Sequence, residues 1–431
     1  MLNKVTLSFV SNSTVRTSLR FLDELSAERQ GSFAVRLWDG TVWGDPAHSP
    51  FVFVLKHPGA LRSMFLSPNA VSLGEAFIYD DFDVEGDLEA AFAFGDSFLD
   101  HGYSVTEKVR LVALLTRLPA VSHKDVVRPE LRLGGSLHSK ERDRSAVSYH
   151  YDMSNDFYSL WLDRSMVYSC AYFTSRHIGI DTAQEQKLDY ICKKLRLREG
   201  DRLLDLGCGW GGLVMHAARN YGVHAFGITL STAQAQYARD RFRFAGLTDR
   251  CKVELCDYRD LDPPAQFDKI VSVGMFEHVG EAMLPDYFRR AWDLLRPAGV
   301  FLNHGIAASA LYERKGPSFV DKYVFPDGEL VPINVTLRAA ELAGFEVRDV
   351  ENLREHYALT LRQWVRRLEA KSEEARHIVG DVAYRIWRLY MSGSAHGFAK
   401  GRLHLYQTLL SKPEHGNSHL PLTREDWYQT A

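Results

Sequence analysis

The chain has few cysteines and no pattern among them: Cys170, Cys192, Cys208, Cys251 and Cys256 are all it has, and no two stand as C-x-x-C. That excludes a zinc ribbon or a disulfide-stapled fold, and the five read as reduced thiols. It also lacks a dominant charge. With 52 basic against 55 acidic residues the net charge is -3, so no global field points to nucleic acid, and any contact with a charged membrane surface has to be local. The opening Met1 to Val10 is too short and too interrupted for a signal-peptide core or a membrane span, and the expectation is a cytoplasmic protein. There is no low-complexity tract. What is present, 431 residues with 45% hydrophobic and 12% aromatic content, suffices for two cores.

The pattern divides into residues 1–120, a connecting stretch 121–145, and residues 146–431. The connection is polar and rich in charge and glycine, running through Ser122-His123-Lys124-Asp125, Arg128-Pro129-Glu130 and Gly134-Gly135-Ser136 to Lys140-Glu141-Arg142-Asp143-Arg144. Its cations fit either a solvated linker or a contact with anionic head groups, diluted by Glu141 and Asp143. Before it, Phe33 to Trp38 and Phe51 to Leu55 read as strands around an Asp39-Gly40 turn, and a helix starts near Gly86-Asp87-Leu88.

After the connection, strands alternate with helices. Leu203 to Leu206, Tyr221 to Leu230, Lys252 to Asp257, Phe267 to Val273 and Val300 to His304 are apolar runs, and Ser231 caps an amphipathic helix reaching Phe244. Such alternation implies an α/β, doubly wound parallel sheet, whose ligands sit beyond the carboxyl ends of the strands. Asp205, Thr229, Asp257, Glu277 and His304 all fall at or just past that edge.

The first of these strands runs into Asp205-Leu206-Gly207-Cys208-Gly209-Trp210-Gly211-Gly212. Glycines tolerate positive φ and have no Cβ, so a nucleotide-like ligand can approach the backbone. The spacing is not the dinucleotide fingerprint, whose third glycine stands three residues after its second. It resembles motif I of the S-adenosyl-L-methionine (AdoMet) methyltransferases.

The stretch just before this core is more specific. Val147-Ser148-Tyr149-His150-Tyr151-Asp152-Met153-Ser154-Asn155-Asp156-Phe157-Tyr158, then Leu160 to Asp163 and Met166 to Phe173, resemble the cyclopropane-fatty-acid synthases, which include the mycolic acid cyclopropane synthases. The likeness continues through Met275 to Gly280, Phe319 to Leu330 and Gly401 to Gln407, and is looser around Leu73 to Phe77. It implies a Rossmann-like class I methyltransferase domain with a smaller, lipid-binding N-terminal α+β domain, and the segment from Phe319 to Pro332 as a lid over an acyl channel.

The resemblance also implies a chemistry. The sulfonium of AdoMet makes its methyl carbon an electrophile, and the π electrons of a cis double bond attack it only when held in place. Methyl transfer leaves a carbocation, and ring closure needs a base in a dry cavity. The family assigns that role to bound bicarbonate, held at positions matching Cys170, Glu277, His304, Ile306 and Tyr357. Its cofactor contacts map onto Tyr168, Ser169, Asp205, Gly207, Gly209, Gly211, Thr229 and Gln234. Asp257 and Tyr258 are expected to flank the adenine, with plain packing an equal reading for Tyr258. No metal is implied. The aromatic group of Tyr149, Tyr151, Phe157, Tyr158, Trp161, Tyr168, Tyr172 and Phe173 either stabilises positive charge or is simply core.

Three positions depart from the family pattern. Ser394 replaces a common cysteine, Gly305 a usual threonine and Asn303 a usual apolar residue, and the last two are expected either to admit water to the base site or to reshape its pocket. The expectation is an AdoMet-dependent C-methyltransferase that converts cis double bonds of membrane phospholipid acyl chains to cyclopropane rings, in peripheral contact with the inner face of the membrane. A homodimer is implied by the family. A methyl-branched or exocyclic-methylene product, or a lipid- and AdoMet-binding protein without turnover, stays open.

Overall fold

The computed structural model describes residues 2–26, 33–99, 101–121, 134–151, 153–261, 266–311 and 318–428. Ser122 to Asp125, Arg128 to Glu130 and Asp152 lie outside the described residues. The chain forms two compact units, one of Met1–Glu130, Gly316–Tyr323 and Gly380–His396, the other of the remaining segments.

The first unit is a four-stranded sheet with helices. Its strands are β1 (Ala34–Arg36), β2 (Val42–Trp43), β3 (Phe51–Leu55) and β4 (Phe82–Gly86), in the order β2-β1-β3-β4. β1 and β2 are antiparallel about the Asp39-Gly40 turn, where Gly40 has φ +88°, while β1 and β3 run parallel. Phenylalanines fill the core: the Phe33 ring lies 4.5 Å from Phe94 and the Phe51 ring 5.0 Å from Phe53. The buried Arg385 guanidinium ties the Asp381 helix to Asp80 and Asp83.

The second unit is built on a seven-stranded sheet. β5 (Arg202–Leu206), β6 (His224–Thr229), β7 (Cys251–Leu255), β8 (Phe267–Val273) and β9 (Leu295–Ala308) are mutually parallel, and β10 (Glu346–Asn352) and β11 (Leu403–Ser411) add an antiparallel margin. The order is β10-β11-β9-β8-β5-β6-β7. Strand order therefore reverses between β5 and β8, the point where an open α/β sheet leaves a crevice for a ligand. Helices Gly212–Tyr221 and Thr232–Phe244 follow β5 and β6, the second capped by Ser231, whose side chain accepts from the Gln234 amide. Helices on both faces bury the middle of the central strands: Leu203, Leu204, Val271, Phe301 and Leu302 are all 0% exposed.

Part of the expected connecting stretch is helical. Lys140–Tyr151 forms a helix in which Lys140 pairs with Asp260 and Arg142 makes a forked pair with Asp327 at 2.6 and 2.9 Å. Arg142 is thereby held within this unit, while Lys140 and Asp260 form a pair that stays solvent-exposed.

Candidate functional site

The glycine loop is shaped by what surrounds it. Gly207, Gly209 and Gly211 all have positive φ, at +83°, +55° and +78°. The amides of Gly207 and Cys208 both donate to the Ile228 carbonyl, at 3.0 and 2.8 Å, which ties the turn to β6. A Cβ at Gly207 would stand 2.8 Å from Met275 and one at Gly211 2.8 Å from Phe242, whereas one at Gly209 would meet nothing within 4 Å. Two of the glycines serve close packing, and Gly209 alone faces open space.

That space is a cavity at the carboxyl ends of β5, β6 and β8. Tyr168, Ser169, Asp205, Gly207, Gly209, Thr229, Gln234, Asp257 and Tyr258 all border it, and Gly211, one position short of the bordering Gly212, does not. Asp205 is 2% exposed and its Oδ1 has no hydrogen-bond partner. Burial pushes its carboxyl up to about 7, against the pull of Lys187. Thr229 donates from Oγ1 to Gln234 Oε1 at 2.8 Å, which leaves the Gln234 NH₂ as the donor end of the amide. Asp257 accepts from the Arg259 amide at 2.9 Å, from its Nε at 2.8 Å and from a terminal nitrogen at 2.6 Å. Burial raises that carboxyl, but the bonds from Arg259 outweigh it and hold it below the usual range. Tyr258 borders the cavity and also meets Tyr287 edge-on at 5.6 Å.

Several bordering residues carried no sequence signal. Lys187, 1% exposed, donates to Ser169 Oγ at 2.9 Å, and Gln184 donates to the Ser169 carbonyl at 2.8 Å. Three positions apart on the helix Ile180–Leu195, they hold the Tyr168-Ser169 segment against the cavity. Burial draws the Lys187 amine down to about 8. Arg259 also reaches Asp143 at 2.9 Å and the His138 carbonyl at 2.9 Å. Asp143, Val147 and Tyr151 thus bring the Lys140–Tyr151 helix to the cavity's edge.

None of the five residues expected around a base, Cys170, Glu277, His304, Ile306 and Tyr357, borders this cavity. Glu277 Oε1 accepts from the Ile306 amide at 2.8 Å, and its Oε2 is buried without a partner. Burial pushes this carboxyl up to about 7, and the bond from Ile306 only partly offsets that. His304 is 0% exposed; Gln407 meets its Nδ1 at 3.2 Å, and its Nε2 is unpartnered. Cys170 Sγ lies 3.8 Å from the Leu353 carbonyl, and burial drives its thiol well above the ordinary range. The Tyr357 amide donates to the same Leu353 carbonyl, while the Leu353 amide donates to Leu405, the register partner of Ile306. Side-chain atoms thus tie Glu277 to Ile306 and Cys170 to the Leu353 carbonyl that also holds Tyr357, strand register sets Leu405 opposite Ile306, and His304 stands two residues from Ile306 on the same face of β9.

The departures look different in three dimensions. Asn303, on the opposite face of β9 from His304, accepts from the Tyr287 hydroxyl at 3.0 Å, so it does not reshape the base region from within. Gly305 leaves room for Phe276, whose ring would stand 2.9 Å from a Cβ there. Ser394 is half-buried on the helix Asp381–Ala399. Of the aromatic group, Phe157, Tyr158 and Trp161 are 0% exposed and belong to the core, while Tyr151 and Tyr168 border the cavity. Among the described residues no helix is long and apolar enough to cross a membrane.

Comparison with known proteins identifies the family and the fold. The family described as mycolic acid cyclopropane synthetase matches residues 138–408. A probable fatty acid methyltransferase of Pseudomonas putida is 43% identical over 400 residues, covering 92% of this chain and 96% of that protein. The cyclopropane-fatty-acyl-phospholipid synthase of Escherichia coli K12 is 35% identical over 334 residues, 75% of this chain and 84% of that one. The crystal structure of mycolic acid cyclopropane synthase CmaA1 complexed with SAH and CTAB superposes with a TM-score of 0.59 at 34% identity, covering 62% of this chain and 97% of that one. The chain belongs to the mycolic acid cyclopropane synthetase family and is an AdoMet-dependent methyltransferase with the Rossmann-like class I fold.

Proposed function

We propose that this enzyme adds a one-carbon unit to the cis double bonds of unsaturated phospholipid acyl chains and closes it to a cyclopropane ring. The observation that carries the reading is the pair of unpartnered buried atoms, Glu277 Oε2 and His304 Nε2. A buried polar atom without a partner destabilises the fold by about 1–3 kcal/mol, so two of them in residues linked through β9 suit a small oxyacid absent from the protein itself.

Bound AdoMet supplies an electrophilic methyl carbon, and this chain's own groups suit it: open space over Gly209, an acceptor at Asp205 Oδ1 and a donor at Gln234. Tyr168 and Ser169, steadied by Gln184 and Lys187, position the methionine end in this reading. Bound bicarbonate supplies a base that the substrate cation does not consume. Glu277 and His304 orient it, with Tyr357 as a third donor and backbone groups of Cys170 and Ile306 completing the cradle. The buried surroundings keep water from the cation. A phospholipid acceptor requires work at the membrane surface, so peripheral membrane contact, a lipid-docking N-terminal unit and a homodimer belong to the same proposal.

The second reading, a methyl-branched or exocyclic-methylene product, draws on the higher identity to the probable fatty acid methyltransferase. Mass spectrometry of fatty acids from cells expressing the chain on isotopically labelled methionine separates the two. A labelled product one CH₂ heavier than its unsaturated parent that resists mild hydrogenation is the expected ring. A product that takes up hydrogen is a methylene, one already two hydrogens heavier is a reduced branch, and either overturns the ring. The absence of any labelled lipid overturns the acceptor.

A further inference from the structure

Gln407 stands opposite His304 in the register of antiparallel strands β11 and β9, and both side chains are 0% exposed. The amide nitrogen of Gln407 lies 3.2 Å from His304 Nδ1, while Gln407 Oε1 and His304 Nε2 have no partner. Burial, reinforced by Lys187 and Lys194, holds His304 far below the ordinary imidazole range, so the ring is neutral and carries its proton on one nitrogen only.

We infer that Gln407 is a positioning residue that sets the tautomer of His304: its NH₂ donates to Nδ1, which places the imidazole proton on Nε2 and makes that atom a hydrogen-bond donor toward the bound oxyanion. The inference rests on the proposed base cradle and adds a residue to it. The two unprotonated oxygens of bicarbonate only accept, and an imidazole with a bare Nε2 would face them lone pair to lone pair and could take only the single O–H. The amide removes that arrangement before any ligand arrives. Glu277 is set in the complementary way. Its Oε1 is occupied by the Ile306 amide, so Oε2 is left to meet the ligand. At metal-binding histidines a neighbour that fixes the far nitrogen is a common device, and its loss lowers metal affinity or activity by about 10–100-fold.

The test is nitrogen NMR on protein with ¹⁵N-labelled histidine, with the His304 signals identified by their loss in His304→Gln. In the unliganded wild type the expected pattern is a protonated Nε2 and a bare Nδ1. At pH 9, where the introduced carboxyl is ionised, Gln407→Glu offers only an acceptor to Nδ1, so the proton should move there, the KM for bicarbonate should rise at least about tenfold, and the AdoMet Kd should stay within about twofold. A proton on Nδ1 in the wild type overturns the inference without any variant, as does a Gln407→Glu protein whose tautomer and bicarbonate KM are unmoved. Turnover that is indifferent to bicarbonate in carbonate-free buffer overturns the cradle itself. That result is distinguishable, because the wild-type tautomer is read in the absence of ligand.

Discussion

The main-chain amide of Ile306 donates to Oε1 of Glu277 across 2.8 Å, joining the short turn after β8 to the end of β9. One bond sets which oxygen of the carboxyl is free. Because Oε1 is occupied, a ligand must be met by Oε2, and because burial pushes the carboxyl up to about 7, the group can both hold and give up a proton near neutrality.

Glu277→Gln keeps the acceptor for Ile306 and removes the acid. Turnover should fall at least about a hundredfold while AdoMet affinity stays within about twofold, as loss of acid-base machinery does. Steady-state assays with calorimetric titration of AdoMet check this, and unchanged turnover would remove Glu277 from the base cradle.

The raised carboxyl of Asp205 ties stability to pH. Its folded value of about 7 exceeds the ordinary 3.8, so the folded form binds the proton more tightly than the unfolded one. The resulting stabilisation is fully present below about pH 4 and is lost as pH rises through about 7, by at most about 4 kcal/mol. Urea unfolding at pH 5 and pH 8 should show a smaller difference for Asp205→Asn than for the wild type; equal differences would contradict the shift.

Gly209→Ala tests the cavity directly. The new Cβ meets no protein atom, so only the φ of +55° costs stability, about 1 kcal/mol. AdoMet affinity should nonetheless drop about tenfold or more, since the methyl group would occupy space assigned to the cofactor. Equal small losses in both would place the cofactor elsewhere.

Arg259→Met should weaken both fold and cofactor binding. It strips Asp257 and Asp143 of their shared cation and the His138 carbonyl of a donor. Breaking buried pairs on one side costs about 3–5 kcal/mol, so thermal unfolding should come several degrees lower. The AdoMet Kd should rise about tenfold if the cluster supports the cavity wall, and an unchanged Kd would separate the two.

The parallel strands were legible because each is a local apolar run bounded by turns, as in Leu203 to Leu206 before Gly207. β10 and β11 were not read as strands: Gly401 to Gln407 carried meaning only as a family pattern, yet β11 is the strand that closes on β9. The glycine loop was readable in the same local terms, and its neighbours Lys187 and Arg259 were not, since a lysine on a helix says nothing of the serine 18 positions away that it will meet.

What the residues determine by themselves, then, is the alternation of strands and helices, the turn with three glycines and the capped helix at Ser231, all consequences of neighbours within a few positions. Tertiary structure decided the rest. It sorted Gly209 from Gly207 and Gly211, turned Asn303 away from His304, and brought Gln407 to an imidazole 103 positions off. Tautomers, raised carboxyls and unpartnered atoms depend on burial and on partners far along the chain, and these exist only once the sheet has closed.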